Sequence, residues 1–206
     1  MITSPSGKLI VFEGIDGTGK TTQLSLLARA LSDRGLPVVS TREPTDGKYG
    51  KKIRELYRNR GSVSLQEELE LFLADRREHV RELLGPALQS GKIVLCDRYV
   101  LSTVAYQGAA GLDRDEIMAQ NSFAPIPDLT LLFQASPETG IARITGKRGE
   151  SLNDFEQAAT LTRVAEIFAS LDQPYIRRID ATGTITTIHE SVICAVEHVI
   201  KQYQSR

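Results

Sequence analysis

The chain has 206 residues and a formal net charge of -1. This length fits one domain that buries roughly 70% of its unfolded surface, and the near-neutral balance excludes a global basic field that would gather nucleic acid or anionic lipid. Two cysteines, Cys96 and Cys194, fall in apolar stretches without metal-like spacing, which excludes a disulfide framework or a zinc site.

The first element is the apolar run 8–13, read as a buried strand. It leads directly into Gly14-Ile15-Asp16-Gly17-Thr18-Gly19-Lys20-Thr21, a complete G-x-x-x-x-G-K-[ST] phosphate-binding loop. Behind the loop, Leu24, Leu26, Leu27, Ala30 and Leu31 recur at helical spacing over 19–34. The residue types suit the chemistry. Glycines let backbone N–H groups close around phosphate oxygens, and the positive end of the next helix faces the anion. Lys20 reaches the outer phosphates, and the Thr21 hydroxyl is a Mg²⁺ ligand. The loop 14–21 followed by Thr22 is therefore assigned to ATP.

Further strands are expected at 36–41, 92–96, 128–134 and 175–180. They are continuous apolar runs rather than alternating ones, as strands buried on both faces should be. Helical patterns cover 51–60, 65–90, 113–121, 137–145, 152–171 and 185–203. Strand–helix alternation implies an α/β fold with a parallel five-stranded sheet and helices on both faces. Right-handed crossovers then place the carboxyl ends of the strands on one edge, where ligands bind. The polar clusters follow the strands: the phosphate loop, Thr41-Arg42-Glu43-Pro44-Thr45, and Asp97-Arg98-Tyr99. All three should converge on one cleft within a single domain spanning 1–206. Asp97, at the end of a strand, is placed to hold the water shell of Mg²⁺, and the Arg98 fork suits phosphate. Between 143 and 152 lies a basic, glycine-flanked segment with Arg143, Lys147 and Arg148, read as a lid able to fold over a polyphosphate. The polar start, Met1 to Gly7, carries no secretory signal, and no apolar run approaches the ~20 residues that cross a bilayer. A cytoplasmic protein with no nucleic-acid or membrane partner is expected.

Four motifs together resemble the thymidylate kinases: the phosphate loop, Thr41-Arg42-Glu43-Pro44, Phe72-Leu73-Ala74-Asp75-Arg76-Arg77-Glu78-His79, and Asp97-Arg98-Tyr99 continuing through Ser102, Ala105 and Tyr106 to Gly108. The resemblance covers about 8 to 200 and implies a nucleoside monophosphate kinase of the P-loop class that converts ATP and dTMP to ADP and dTDP, with Mg²⁺. It implies that Asp16 holds the sugar 3′-hydroxyl, Phe72 stacks on thymine and Arg76 reads a thymine carbonyl. Arg98 with Arg42 would clamp the monophosphate. Ser102 or Thr103 would sit near the base, with Gln107 close by, and Tyr106 under the sugar, where a 2′-hydroxyl would crowd it. Families of this kind place an extra catalytic arginine either in the phosphate loop or in the lid. Here Gly17 occupies the loop position, so Lys147 and Arg148 suggest the lid-arginine type common in bacteria. Lys20, Asp97, Arg98 and Arg148 form the expected catalytic set, and a homodimer is the expected assembly.

Residue by residue, plainer readings stand beside these. Phe72 lies among Leu69, Leu71, Leu73 and Val80 and fits a core position, Tyr106 fits helix packing, and His79 is read as a structural histidine. After Glu43-Pro44 the chain departs from the family's Gly-Gly continuation, with Thr45-Asp46-Gly47, and 150–156 also departs from its usual pattern. The nearest enzyme alternative is a kinase for another nucleoside monophosphate or a deoxynucleoside. A GTPase switch is a different class, and the chain lacks the Asn-Lys-x-Asp motif it needs.

Overall fold

The computed structural model describes residues 7–57, 62–148 and 158–205, excluding the side chains of Lys147 and Arg148. Its five strands are β1 (Lys8–Glu13), β2 (Val38–Arg42), β3 (Ile93–Asp97), β4 (Leu129–Gln134) and β5 (Ile176–Asp180). They form one sheet in the order β2-β3-β1-β4-β5, and every pairing is parallel. All five expected strands are present, shifted by at most two residues. Because β1 lies between β3 and β4, the loop after β1 opens at the point where the strand order reverses, the usual ligand crevice of such sheets. Register aligns the strand ends. Phe12 pairs with Asp97, and Asp97 with Arg42, so the three polar clusters start at one height.

The nine α-helices described are α1 (Lys20–Asp33), α2 (Lys48–Leu56), α3 (Leu65–His79), α4 (Gly85–Gln89), α5 (Val100–Ala109), α6 (Arg114–Gln120), α7 (Pro137–Arg148), α8 (Ala158–Ser170) and α9 (Ile185–Gln204). One face of the sheet presents Ile10, Phe12, Leu95, Leu131 and Phe133 to α1 and α9. The other face carries two clusters. One packs Leu9, Val11, Val94 and Cys96 against the α3–α4 region, and the other joins Leu132 to α5 and α8. Cys96 is fully buried and acts as a small hydrophobe, whereas Cys194 is exposed on α9.

The pattern over 65–90 resolves into α3, a π-helical turn (Val80–Leu84) and α4. The start is fixed by a capping box. The Ser64 hydroxyl accepts from the Glu67 N–H, and the Glu67 carboxylate accepts from the Ser64 N–H. The π turn has a local cause. Pro86 has no N–H for the carbonyl of residue 82, and its ring would crowd that oxygen, so the chain rewinds and Gly85 donates to the carbonyl of Val80. A helix at 100–109 was not expected from periodicity. α5 fills it, and residues 101–107 are all buried, so there is no polar stripe for a periodicity to reveal.

Candidate active site

The phosphate loop joins β1 to α1 as the motif requires. Gly14, Gly17 and Gly19 all take positive φ, a region glycine enters without steric cost. Gly17 is constrained from outside as well. A Cβ there would lie 2.2 Å from the Gly140 carbonyl oxygen of α7, and even an alanine would push the two backbones apart. The choice of glycine over arginine in the loop therefore has a packing reason: α7 occupies the room a side chain would need. Ile15 is buried in the core and presents only its backbone. Its carbonyl accepts from both the Thr18 hydroxyl, at 2.9 Å, and the Lys20 ammonium, at 2.7 Å. Thr21 donates to the Asp97 carboxylate at 2.5 Å, so the two oxygens expected from the sequence to serve a metal meet at the end of β3.

Arg98 is the centre of a polar cluster beside the phosphate loop. Its φ is 70°, a left-handed backbone that costs a non-glycine residue roughly 1–2 kcal/mol and that aims the side chain back across the phosphate loop. The guanidinium donates to Asp16 at 2.8 Å, Ser102 at 3.0 Å, Tyr106 at 3.3 Å and the Gly14 carbonyl at 3.3 Å. Tyr106 in turn donates to the other Asp16 oxygen at 2.7 Å. Asp16, Arg98, Ser102 and Tyr106 thus form one cluster beside Lys20. Burial works against the Asp16 charge, but Arg98 and Lys20, with the Tyr106 hydroxyl, hold its carboxyl well below the usual range. Burial pushes the Tyr106 phenol up, so it remains a donor at neutral pH. A 360 Å³ cleft runs over this cluster, lined by Gly17, Gly19, Lys20, Thr21, Thr22, Arg42, Tyr57, Asp97, Arg98 and Arg143. A 580 Å³ cleft adjoins it between Thr21, Arg42, Asp46, His79 and Asp97.

Lys20 is pushed down to about 8, first by burial and then by the Arg98 charge, with Asp16, Asp97 and Glu13 opposing. Bound phosphates would favour the ammonium and raise this value. The linkage then has a definite sign. ATP should bind most tightly below about pH 8, and its affinity should fall as pH rises through the window above it. Calorimetry near pH 9 in buffers of different ionisation heat should record proton uptake on ATP binding, absent in Lys20→Met. The same observed heat in every buffer, which means no net proton is taken up, would remove Lys20 from the phosphates.

Arg76 lies in a buried network. Its Nε and Nη2 donate to Glu43 at 2.9 and 2.7 Å, Nη2 also donates to Thr103 at 3.0 Å, and Nη1 donates to Asn121. Its guanidinium stands 5.2 Å from the Tyr99 ring centroid. Glu43 also meets His79 Nδ1 at 2.9 Å, and His79 Nε2 meets Thr41 at 2.8 Å. His79 is the satisfied structural histidine expected. Glu43, Asn121 and Glu13, which accepts from Tyr99 N–H, Ser102 N–H and the Ser102 hydroxyl, were not singled out in the sequence. The signal for Glu43 was present in Thr-Arg-Glu-Pro. None marks Asn121, 45 residues from Arg76.

The remaining expected residues divide. Phe72 is half-buried and joins none of the three core clusters, unlike its neighbours Leu69 and Leu73. Thr103 touches Arg76, and Ser102 touches Arg98. Gln107 is fully buried and donates to Glu68 at 2.7 Å, across the α3–α5 contact. Arg42 lies at the cleft rim, bonded to Asp46 at 2.7 Å. Arg143 is tied by Nη1 to the Ala181 carbonyl at 2.7 Å. The basic segment begins as the last turns of α7 rather than as a loop. The Lys147 and Arg148 side chains, and the rest of the expected lid through 152, lie outside the described residues.

Comparison with known proteins agrees with this geometry. The thymidylate kinase family model matches residues 12–192. The chain is similar to a thymidylate kinase of Desulfotalea psychrophila, with 56% identity over 95% of this chain and 96% of the relative. It is also similar to thymidylate kinases of Xanthomonas campestris pv. campestris, with 47% identity over 94% and 86%, and Xanthomonas euvesicatoria pv. vesicatoria, with 45% over 93% and 86%. With its phosphate loop, its strand-end Asp97-Arg98 and its α3 and α5 motifs assembled on one sheet edge, the chain belongs to the thymidylate kinase family, the nucleoside monophosphate kinases that phosphorylate dTMP to dTDP in dTTP biosynthesis.

Proposed function

We propose that this chain moves the γ-phosphoryl group of MgATP to the 5′-phosphate of dTMP through the residues assembled above, as a single catalytic unit working in the cytoplasm as a homodimer. One observation carries the assignment of roles: Asp16, within the phosphate loop, is bonded to both Arg98 and Tyr106. The donor loop and the acceptor pocket therefore share a side chain, and a nucleoside bound to Asp16 lies beside the donor phosphates.

Thr21 and Asp97 fit a hard cation, since both offer oxygen and they are in contact. Among the described residues no group of three or more His, Cys, Asp or Glu could hold a metal by itself, which matches an ion such as Mg²⁺ that relies on phosphate oxygens and water for its other ligands. When bound, that ion neutralises charge on the β- and γ-phosphates. The chain's own residues supply position and fixed charge. Lys20 leaves the Ile15 carbonyl to contact the outer phosphates. Arg98 holds the acceptor phosphate with its planar fork. Phe72 stacks on the base and Arg76 donates to its carbonyl edge. The acceptor phosphate has a second pKa near ~6 and is already largely dianionic at neutral pH, so no strong general base is required and catalysis reduces to alignment and charge stabilisation. Tyr106 crowds a 2′-hydroxyl and so favours deoxyribose.

A coupled ADP-release assay over dTMP, dUMP, UMP, dCMP and AMP tests the reading. dTMP should give the highest kcat/KM, and a preference for any other monophosphate would overturn it. Arg98→Lys keeps the charge but loses the fork, and should raise the KM for dTMP by about tenfold or more, roughly 1.4 kcal/mol, with little change for ATP. Unchanged dTMP kinetics would make Arg98 only a strand-end ion pair. Arg148→Ala should lower kcat and kcat/KM by similar factors, with KM little altered, if the lid cation acts mainly in the transition state. An unchanged kcat would move that role to Arg143.

A further inference from the structure

Beneath the sheet face opposite α1 and α9 there is a separate cavity of about 360 Å³, close to the lower end of small-ligand pockets. It is bounded by Val11 of β1, Thr130 of β4, the start of α5, the 121–127 segment, and Gln173 with Tyr175 before β5. It shares no lining residue with either cleft described above. Four buried side-chain oxygens lack a hydrogen-bond partner among the described residues, and three of them, Tyr99 Oη, Thr130 Oγ1 and Gln173 Oε1, belong to residues that line this one cavity. Tyr99 and Thr130 are each only 1% exposed. Buried polar atoms left unpaired are costly, so three on residues around one space call for a partner there.

The lining dictates the chemistry of that ligand. Tyr99 and Thr130 hydroxyls each offer a donor, and Gln173 Oε1 offers an acceptor. Among the described residues Glu13 is the only carboxylate on the wall, and its oxygens already take the Tyr99 N–H, the Ser102 N–H and the Ser102 hydroxyl. Among the described residues no Lys, Arg or His lines the cavity. An anion would meet Glu13 without a counter-charge, and a cation would find its one partner already engaged. The other walls are apolar, including Leu101, Met118 and Ile126, and the last of these stands 78% exposed at the surface.

From this juxtaposition we propose that the cavity formed by Tyr99, Thr130 and Gln173 is a second ligand site, taking a small uncharged aromatic amide or lactam. Its carbonyl accepts from the two hydroxyls, its N–H donates to Gln173, and its ring fills the apolar part. The site goes beyond the phosphoryl-transfer reading and does not depend on it. It also adjoins the acceptor pocket from behind. Asn121 lines it and accepts from Arg76, and the Tyr99 ring faces the same guanidinium. Occupancy should therefore change dTMP affinity by a finite factor, with dTMP changing the affinity of the second ligand reciprocally.

Benzamide carries the required carbonyl, N–H and ring, and benzoate serves as its charged counterpart. Titration of the whole protein, followed by amide chemical shifts, should show saturable benzamide binding centred on Tyr99, Met118, Thr130 and Gln173, and none by benzoate. Saturating dTMP should alter the benzamide affinity without abolishing it. Thr130→Val should weaken benzamide several-fold, and Tyr99→Phe with Thr130→Val about tenfold or more, on the scale of two lost hydrogen bonds. Thr130→Val removes an unpaired hydroxyl at nearly constant shape, so its melting temperature should not fall, which keeps the test usable if the double variant folds poorly. Four outcomes overturn the proposal: no saturable shifts up to the solubility limit of benzamide, complete displacement by dTMP, equal affinity in Thr130→Val, or binding that weakens as protein concentration rises because a second copy covers the cavity.

Discussion

Replacing Lys20 by alanine should lower kcat by about 10²–10³-fold, roughly 3–4 kcal/mol, on the scale of removing one pre-organised donor from developing charge. The ammonium is buried within the phosphate loop and donates to the Ile15 carbonyl. It already sits within the loop before nucleotide arrives and has only to exchange the Ile15 carbonyl for the outer phosphates. Stability should move differently. Burial already disfavours the Lys20 charge, and this unfavourable term is fully present at neutral pH, below the depressed value of about 8. The Ile15 carbonyl would also keep its bond from the Thr18 hydroxyl. The melting temperature of Lys20→Ala without nucleotide should therefore stay level or rise, while the stabilisation given by saturating ATP should shrink. Lost turnover together with a lower melting temperature would indicate a misfolded loop, and near-normal turnover would remove the phosphate-loop mechanism altogether.

This separation of activity from stability reflects how the site is built, and also what could be read from the sequence. The strands were legible because a run such as Leu9-Ile10-Val11-Phe12 is buried on both faces and is apolar throughout. The phosphate loop was legible because its chemistry demands particular residues at fixed spacing. α5 was not, since Leu101 through Gln107 are all buried and include Ser, Thr and Gln. Neither helical nor strand periodicity survives where polar residues also face inward. The break in the 65–90 helix was hidden too: Pro86 was visible, but a helix can meet a proline by kinking, stopping or rewinding, and only packing selects the π turn. Phe72 and Arg76 enter the proposed base pocket through family resemblance alone. The partners that hold Arg76 were not, because Glu43 and Asn121 reach it across 33 and 45 residues and follow no spacing rule. Such contacts depend on where the segments just after β2 and α6 come to lie beside α3.

Those hidden partners carry the second large effect. Glu43→Ala should destabilise the fold by about 3–5 kcal/mol, the usual cost of removing one member of a buried ion pair. Arg76 is 1% exposed and Glu43 6%, so water cannot readily replace the lost carboxylate. For a chain of this length that corresponds to a fall in melting temperature of roughly 6–20 °C. Glu43→Gln keeps the shape and one acceptor oxygen but not the charge, and should lie between alanine and the parent. Function supplies a readout that packing alone would not move. Glu43 fixes the Nε edge of the guanidinium, while Thr103 and Asn121 hold its other nitrogens. Once Glu43 is neutralised, the fork loses the partner that fixes its Nε edge, and the contact proposed for it with the base should shift. In Glu43→Gln the KM for dTMP should therefore rise about tenfold, roughly 1.4 kcal/mol, while kcat at saturation and the KM for ATP change much less. The discrimination between dTMP and dCMP, which differ at the base edge assigned to Arg76, should narrow in parallel. If Glu43→Gln melted like the parent and kept its dTMP kinetics, Arg76 would be held by Thr103 and Asn121 alone. If stability fell while dTMP and dCMP kinetics were unaffected, the network would be a core element with no part in reading the base.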